Sequence, residues 1–292
     1  MLVGTGAGAG VADRQLRGKV ALVTGGARGL GRGYALRLAE LGADVAILDR
    51  NLDAAGVYEF ERNLMTAATV QEECAAHGIR ALAREVDLAD RGAAERAVAS
   101  VAGELGGIDI AVCNAGGGTT RFADEMPGAG SVAGADGREL ADTNTEATAS
   151  DCPQEVLTRV LDINLMTCMY TCMAVVPHLK RRGGGKIVTV SSTAGLVASG
   201  GYHPYGTAKA AIVHYTRALA QELGPHGINV NSIAPGIIRT GRLGDRAHLG
   251  PRIPLRREGT IADCVKVVEF LVTDLSDYVT GCTIPIDGGL YH

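Results

Sequence analysis

No stretch of this 292-residue chain approaches the twenty or so uninterrupted apolar residues that a membrane-crossing helix requires. Residues 1–11 carry neither the positive flank nor the apolar core of a secretory signal. A cytoplasmic protein with no membrane partner is the expectation. Positive charge is not in excess either. The net charge is −4 and the pI about 6.0, which removes the electrostatic reason to expect nucleic acid as a partner. The one compact basic cluster, Lys180, Arg181 and Arg182, precedes Gly183, Gly184 and Gly185, where cations end a helix against its negative pole. Cys-x-x-Cys pairs are absent. The seven cysteines are scattered, with no histidine nearby to complete a zinc site, so no metal is expected. Cys168 and Cys172 share a helix face in a Met- and Leu-rich stretch, and buried free thiols in a reducing compartment account for them.

What the chain does have is a hydrophobic content of 46%, ample for a large core. Residues 1–16 are Gly- and Ala-rich without periodicity and read as a flexible tail. The spacing Gly6-x-Gly8-x-Gly10 resembles a phosphate loop, but no strand precedes it. Beyond it, β-branched runs at 20–23, 45–48, 81–86, 110–113, 187–190, 228–233 and 283–286 predict strands. Helical patterns separate most of them, for example 31–41, stopped by Gly42, and 91–105, opened by Asp90 and closed by Gly106 and Gly107. This alternation predicts one doubly wound α/β domain over 17–292: a seven-stranded parallel sheet with helices on both faces. Such sheets bind ligands beyond the carboxyl ends of their strands.

The informative residues therefore follow each strand. After the first come Thr24, Gly25, Gly26, Ala27, Arg28, Gly29, Leu30 and Gly31, a glycine-rich turn into a helix whose free amides and dipole favour a diphosphate. The second strand ends at Asp49, whose carboxylate can accept both ribose hydroxyls of NAD and would repel the extra phosphate of NADP. Arg28 and Arg50 pull the other way, since a guanidinium can pair with that phosphate. The third strand ends at Asp87 and Leu88, suited to the adenine edge, and the fourth at Asn114, Ala115, Gly116 and Gly117, small enough for close backbone approach to a ribose. For either of these last two motifs taken alone, an ordinary turn is the alternative. Ser191 and Ser192 follow the fifth strand. Tyr205 and Lys209 then open a helix with a phenol and an ammonium one turn apart on one face.

Together these residues resemble the short-chain dehydrogenase/reductase family, in its compact Rossmann-type subgroup. The resemblance runs from Lys19 to Gly289 and rests on Thr24-Gly25-x-x-x-Gly29-x-Gly31, Asn114-Ala115-Gly116, Asn164, Ser192, Tyr205-x-x-x-Lys209, Pro235-Gly236-x-x-x-Thr240 and Asp287-Gly288-Gly289. It implies that Tyr205 is the acid/base, that Lys209 binds the nicotinamide ribose, that Ser192 holds the substrate oxygen and that Asn164 anchors a water relay. It also implies that Pro235, Gly236, Ile238 and Thr240 embrace the nicotinamide end. The expected activity is NAD(H)-dependent interconversion of a secondary alcohol and a ketone, in a homotetramer built through the helices that carry Asn164 and Tyr205.

Three segments depart from the compact plan. About a dozen extra residues near 50–64 follow Asp49 and could fold over the adenosine half of the cofactor. A class of relatives with an insertion here retains its cofactor and is reoxidised in place by an external carrier, which makes a tightly held NAD an alternative. A second insertion, 119–149, starts beside the expected active site and could cap or widen the substrate pocket, with disorder as the alternative. The lid expected at 241–250 is brief, which favours a bulky, cyclic or aromatic substrate. A non-catalytic dinucleotide sensor is the alternative of another class, and Tyr205 with Lys209 argues against it.

Overall fold

Seven short apolar runs become seven strands in the computed structural model, which describes residues 15–117, 132–133, 139–140, 148–198, 203–241 and 247–291. They are β1 Val20–Thr24, β2 Asp44–Asp49, β3 Ala81–Glu85, β4 Ile110–Cys113, β5 Gly185–Val190, β6 Ile228–Pro235 and β7 Thr283–Ile286. All pair in parallel, in the order β3-β2-β1-β4-β5-β6-β7. The chain runs outward from β1 to β3 and then returns to lay β4 on the other side of β1. Beyond the carboxyl ends of β1 and β4 the connections leave in opposite directions and open a crevice.

Alternation along the strands accounts for the layers. Val20 and Leu22 of β1 face one core and Ala21 and Val23 the other, because successive side chains point to opposite faces. The first core is closed by α4 (Arg91–Leu105), α6 (Thr167–Arg182) and α7 (His203–Leu223). The second is closed by α1 (Gly29–Glu40), α3 (Val70–Ala75) and α8 (Ile261–Val272). Two shorter pieces complete the helices: α2 (Glu59–Arg62) in the first insertion and α5 (Gln154–Leu161), joined to α6 by a π-helical turn at Asp162–Met166. Asp90 caps α4 by accepting from Ala93 N, and left-handed Gly106 ends it, as the sequence predicts.

Three expectations are refined. Ordered chain begins before residue 17, since apolar Leu16 is buried in the second core and its N–H donates to Leu41 O; residues 1–14 lie outside the described ones. The stretch Gln154–Arg182 is long enough for a membrane span and holds an 18-residue window of mean hydropathy 1.4, although polar residues interrupt it. Cys168, Thr171, Cys172, Val175 and Leu179 of this stretch are buried within the protein, as in a core helix. Of the insertion 119–149, only a two-residue antiparallel ladder, Val132–Ala133 with Glu139–Leu140, and residues 148–149 are described, so its expected role as a cap lies outside the described residues.

An ion pair locks α1 to α3. Arg32 Nε and Nη2 donate to the two carboxylate oxygens of buried Glu73 at 2.7 and 2.6 Å, and Thr66 donates to the same carboxylate through N and Oγ1. Burial alone would raise the Glu73 carboxyl, but the hydrogen bonds from Arg32 and Thr66 outweigh it and hold the group below the usual glutamate value. A depressed carboxyl contributes stability above its unfolded value, near 4.3, and loses it as the pH falls through the lower folded value. Glu73→Gln is therefore expected to be less stable than the parent at pH 7, with the gap narrowing at pH 3. Urea unfolding at the two pH values measures it; an unchanged gap contradicts this account.

Candidate active site

The crevice is assembled from the strand ends. Gly25 and Gly29 adopt positive φ (62° and 55°), which lets the chain turn sharply from β1 into α1. Arg28 is the N-cap of α1 but makes no side-chain cap, so the amides of Gly29, Leu30 and Gly31 face the crevice end of a helix dipole. Asn114 donates through Nδ2 to Thr24 O and Gly25 O, at 3.2 and 3.0 Å. Thr24 Oγ1 in turn accepts from Asn114 N and Ala115 N, both at 3.0 Å. The loops after β1 and β4 are thus cross-tied. Thr24 acts here as a positioning residue that its place in the glycine motif did not by itself reveal.

Asp49 stands at the end of β2. Its Oδ2 accepts from Ala27 N at 3.1 Å and its Oδ1 from Asn51 N at 3.2 Å, so the carboxylate is fixed beside the glycine turn. Arg28 lies over the ring of Tyr58, 5.0 Å from its centroid, and Arg50 is exposed. Asp87 accepts from Ala89 N in an exposed turn, whereas Leu88 is part of the first core. On the far side of the crevice, Pro235 ends β6, Gly236 N donates to Ile286 O, and buried Ile238 bridges to Gly259. Thr240 is half-buried beyond it.

The four residues expected to be catalytic come from three elements. Lys209, on α7, is buried and its Nζ donates to Val190 O at 3.0 Å and lies 5.6 Å from the centroid of the Tyr205 ring. Tyr205, in the first turn of α7, is half-buried against Val156 and Val160 of α5. Ser192 opens the turn after β5; its Oγ accepts from Ala194 N at 3.2 Å and donates to Pro235 O at 3.5 Å. The turn packs tightly on α7, since a Cβ on Gly206 would meet Ala194 O at 2.9 Å and one on Gly195 would meet the Lys209 carbonyl carbon at 2.6 Å. Ser191 fixes this register by donating its hydroxyl to Lys209 O at 2.8 Å. Only a known strand end could have singled out its role.

Asn164 sits in the π-helical turn, a geometry that often marks functional sites. It does not face solvent. Its Oδ1 accepts from Gly117 N at 2.9 Å, and its Nδ2 donates to Gly117 O at 3.0 Å and Val160 O at 3.1 Å. A Cβ on Gly116 would lie 2.9 Å from Asn164 Oδ1 and 3.5 Å from Lys209 Nζ, so both polar groups approach the same glycine.

Residues 19–248 match the sequence profile described as short chain dehydrogenase. A cyclohexanol dehydrogenase of Rhodococcus sp. (strain TK6) is 46% identical over 286 residues, covering 95% of this chain and 97% of that protein. The chain belongs to the short-chain dehydrogenase family. Human dehydrogenase/reductase SDR family member 4 is 34% identical, with 94% of this chain and 88% of that one covered. Among solved structures, a short-chain type dehydrogenase/reductase from Mycobacterium marinum superposes with a TM-score of 0.76 at 35% identity, covering 96% and 98% of the two chains. An NAD+-bound xylitol dehydrogenase superposes with a TM-score of 0.76 at 29% identity, covering 94% and 100%.

The first insertion reaches across the crevice of this short-chain dehydrogenase. Buried Glu61, on α2, accepts from Gly241 N through Oε1 at 3.0 Å, and a Cβ on Gly29 would lie 3.5 Å from the same oxygen. A Cβ on Gly241 would meet Glu61 Cγ at 2.6 Å and Tyr58 Cβ at 2.8 Å. Phe60 lies under Arg239, 5.2 Å from ring centroid to guanidinium. Residues 58–61 therefore form a strap from the glycine turn to the loop after β6. The sequence marked the insertion but not where it lands, because neither Gly241 nor Glu61 carries a motif.

Proposed function

We propose that the chain is an NAD(H)-dependent dehydrogenase of a cyclic secondary alcohol, with Tyr205 as the proton-transferring group. The single observation that supports this best is the convergence of Tyr205, buried Lys209 and Ser192 at the crevice that the glycine turn opens. The residues fit a dinucleotide: glycines where a Cβ would collide with backbone, uncapped amides at α1, and a fixed carboxylate at Asp49. Gly25, Arg28, Gly29, Leu30 and Gly31 would hold the diphosphate, and Asp49 the adenosine ribose. Arg50, Asp87 and Leu88 would flank the adenosine half. Asn114, Ala115, Gly116, Tyr205 and Lys209 would line the nicotinamide ribose, and Pro235, Gly236, Ile238 and Thr240 the nicotinamide. When bound, the dinucleotide supplies the hydride acceptor or donor.

The chain's own residues handle the proton. Tyr205 takes the carbinol proton during oxidation and returns it during reduction, with the Lys209 ammonium beside its ring. Ser192 donates a hydrogen bond that strengthens as charge gathers on the substrate oxygen. Asn164, fixed on Gly117, anchors the route by which Lys209 exchanges protons with water. A cyclic alcohol is favoured by the brief segment after Thr240 and by the 46% identical relative, a cyclohexanol dehydrogenase. Free thiols fit a reducing, cytoplasmic location, and the half-exposed Met173 face of α6 fits a homotetramer.

The carboxylate of Asp49 supports NAD over NADP. Asp49→Ser is expected to lower kcat/KM for NAD about tenfold to a hundredfold, the loss of charged hydrogen bonds to ribose, while raising that for NADP. Steady-state kinetics with both cofactors tests it; an unchanged ratio places the selectivity elsewhere.

The strap favours a second reading, in which the dinucleotide stays bound through turnover and an external carrier reoxidises it. A ligand under residues 58–61 leaves only when the contacts of Glu61 and Tyr58 with Gly241 open. Denaturing the purified protein and measuring released NAD(H) separates the two readings. Stoichiometric dinucleotide with slow turnover on added NAD supports retention; none released, with fast turnover on added NAD and cyclohexanol, supports free exchange.

A further inference from the structure

Behind the crevice, the described residues bring three sulfurs together. Cys113 ends β4, and Cys168 and Cys172 lie one turn apart on α6. Their Sγ atoms all lie within 4.8 Å of one another, with Cys113 and Cys172 3.6 Å apart. All three are buried, and no histidine or carboxylate joins the group. The other four cysteines stand apart from it: Cys74 and Cys264 are buried, Cys152 is half-buried and Cys282 exposed. The sequence pairs Cys168 with Cys172, but only the β4–α6 packing brings in the third thiol.

We propose that Cys113, Cys168 and Cys172 form a binding site for one soft, three-coordinate inorganic centre, and that trivalent arsenic, presented as arsenite, fits it best. Sulfurs bound at about 2.3 Å to one pyramidal three-coordinate centre are about 3.4–3.5 Å apart, so the widest pair of the cluster must close by up to about 1.4 Å, less than about 1 Å for each sulfur. Soft thiolate sets select soft ions. The missing fourth ligand disfavours a closed tetrahedral zinc site, which needs four. Charge decides among the three-coordinate species. A cuprous ion with three thiolates leaves two negative charges in a dry core, whereas arsenic with three thiolates is neutral and avoids that desolvation cost. The reaction is a ligand exchange: three As–OH bonds and three S–H bonds break, three As–S bonds form, and three waters leave. No oxidation state changes.

The site is coupled to the crevice through covalent neighbours. Cys113 immediately precedes Asn114, and Cys168 follows Thr167, whose Oγ1 hydrogen-bonds Ala115 O at 3.3 Å and Ile163 O at 2.7 Å. Drawing the three sulfurs onto one centre pulls on both the loop after β4 and the turn that carries Asn164. Because the thiols are inaccessible in the closed fold, uptake awaits local opening, and inhibition by arsenite develops slowly.

The test uses the full chain as purified, incubated with arsenite and desalted. One arsenic per chain is expected, with the thiols titratable after denaturation reduced by three and three sulfur neighbours in X-ray absorption at the arsenic edge. Cys168→Ala and Cys172→Ala are each expected to keep basal activity and to lose arsenic uptake at least tenfold, while Cys282→Ala retains it. The absorption measurement on the parent stands even if a variant fails to fold. No uptake, a two-sulfur environment, or uptake that survives Cys172→Ala overturns the proposal and leaves the cluster as packed thiols.

Discussion

Tyr205→Phe is expected to lower kcat by about 10²–10⁴-fold, the usual contribution of a positioned acid/base, with dinucleotide affinity little changed. The phenyl ring can keep the packing against Val156 and Val160. What disappears is the phenol oxygen that the proposed reaction uses to carry the proton on the Lys209 side of α7. Lys209 itself is held by Val190 O and Ser192 by its own turn, so neither hydroxyl nor ammonium depends on the phenol for its position. Ground-state binding should therefore survive, and KM should move far less than kcat. Dinucleotide titration by fluorescence alongside steady-state kinetics checks both halves. Activity within a few-fold of the parent would assign the proton to another group.

Gly31→Ala is expected to abolish dinucleotide binding and to destabilise the fold, and the reason is local. A Cβ at this position collides with Gly25 O and comes within 2.7 Å of Asn114 Nδ2 and 2.8 Å of the Gly25 carbonyl carbon. These are backbone atoms and the side chain that ties the β1 and β4 loops, so no flexible end can give way. Overpacking of this kind costs about 1–3 kcal/mol or more and opens the turn that must receive the diphosphate. Gly103→Ala is the control. It lies inside α4 with nothing within 4 Å of a new Cβ, so the better helix former should raise stability by about 0.5–1 kcal/mol. Thermal unfolding of the pair separates the effects; two variants of equal stability would show that glycine placement in the turn is not constrained.

The contrast between those glycines shows what could be read in advance. Strand positions followed from β-branched runs, because a strand covered on both faces must be apolar along its length, and all seven fell where expected. Residues after strands were legible for the same reason: the doubly wound plan sends each strand end to one crevice. Asn164 was harder. Only the family resemblance singled it out, and the π-helical turn and Gly117 reveal why a polar side chain is buried there. Contacts that span distant segments left no local signature at all. The strap from Glu61 to Gly241 joins residues 180 positions apart, and Cys113 reaches Cys172 across 59. Neither pairing is encoded by periodicity or capping; both emerge from where whole elements dock.

The central claim is that hydrogen leaves a carbinol carbon for a dinucleotide held in this crevice. Cyclohexanol deuterated at its carbinol carbon should be turned over with the purified protein and the dinucleotide recovered, whether released by denaturation or from solution. The expected result is deuterium in the nicotinamide ring, with slower turnover than on the unlabelled alcohol in a single-turnover measurement. Ketone formation with all the deuterium in solvent, and none in the dinucleotide, would contradict the account.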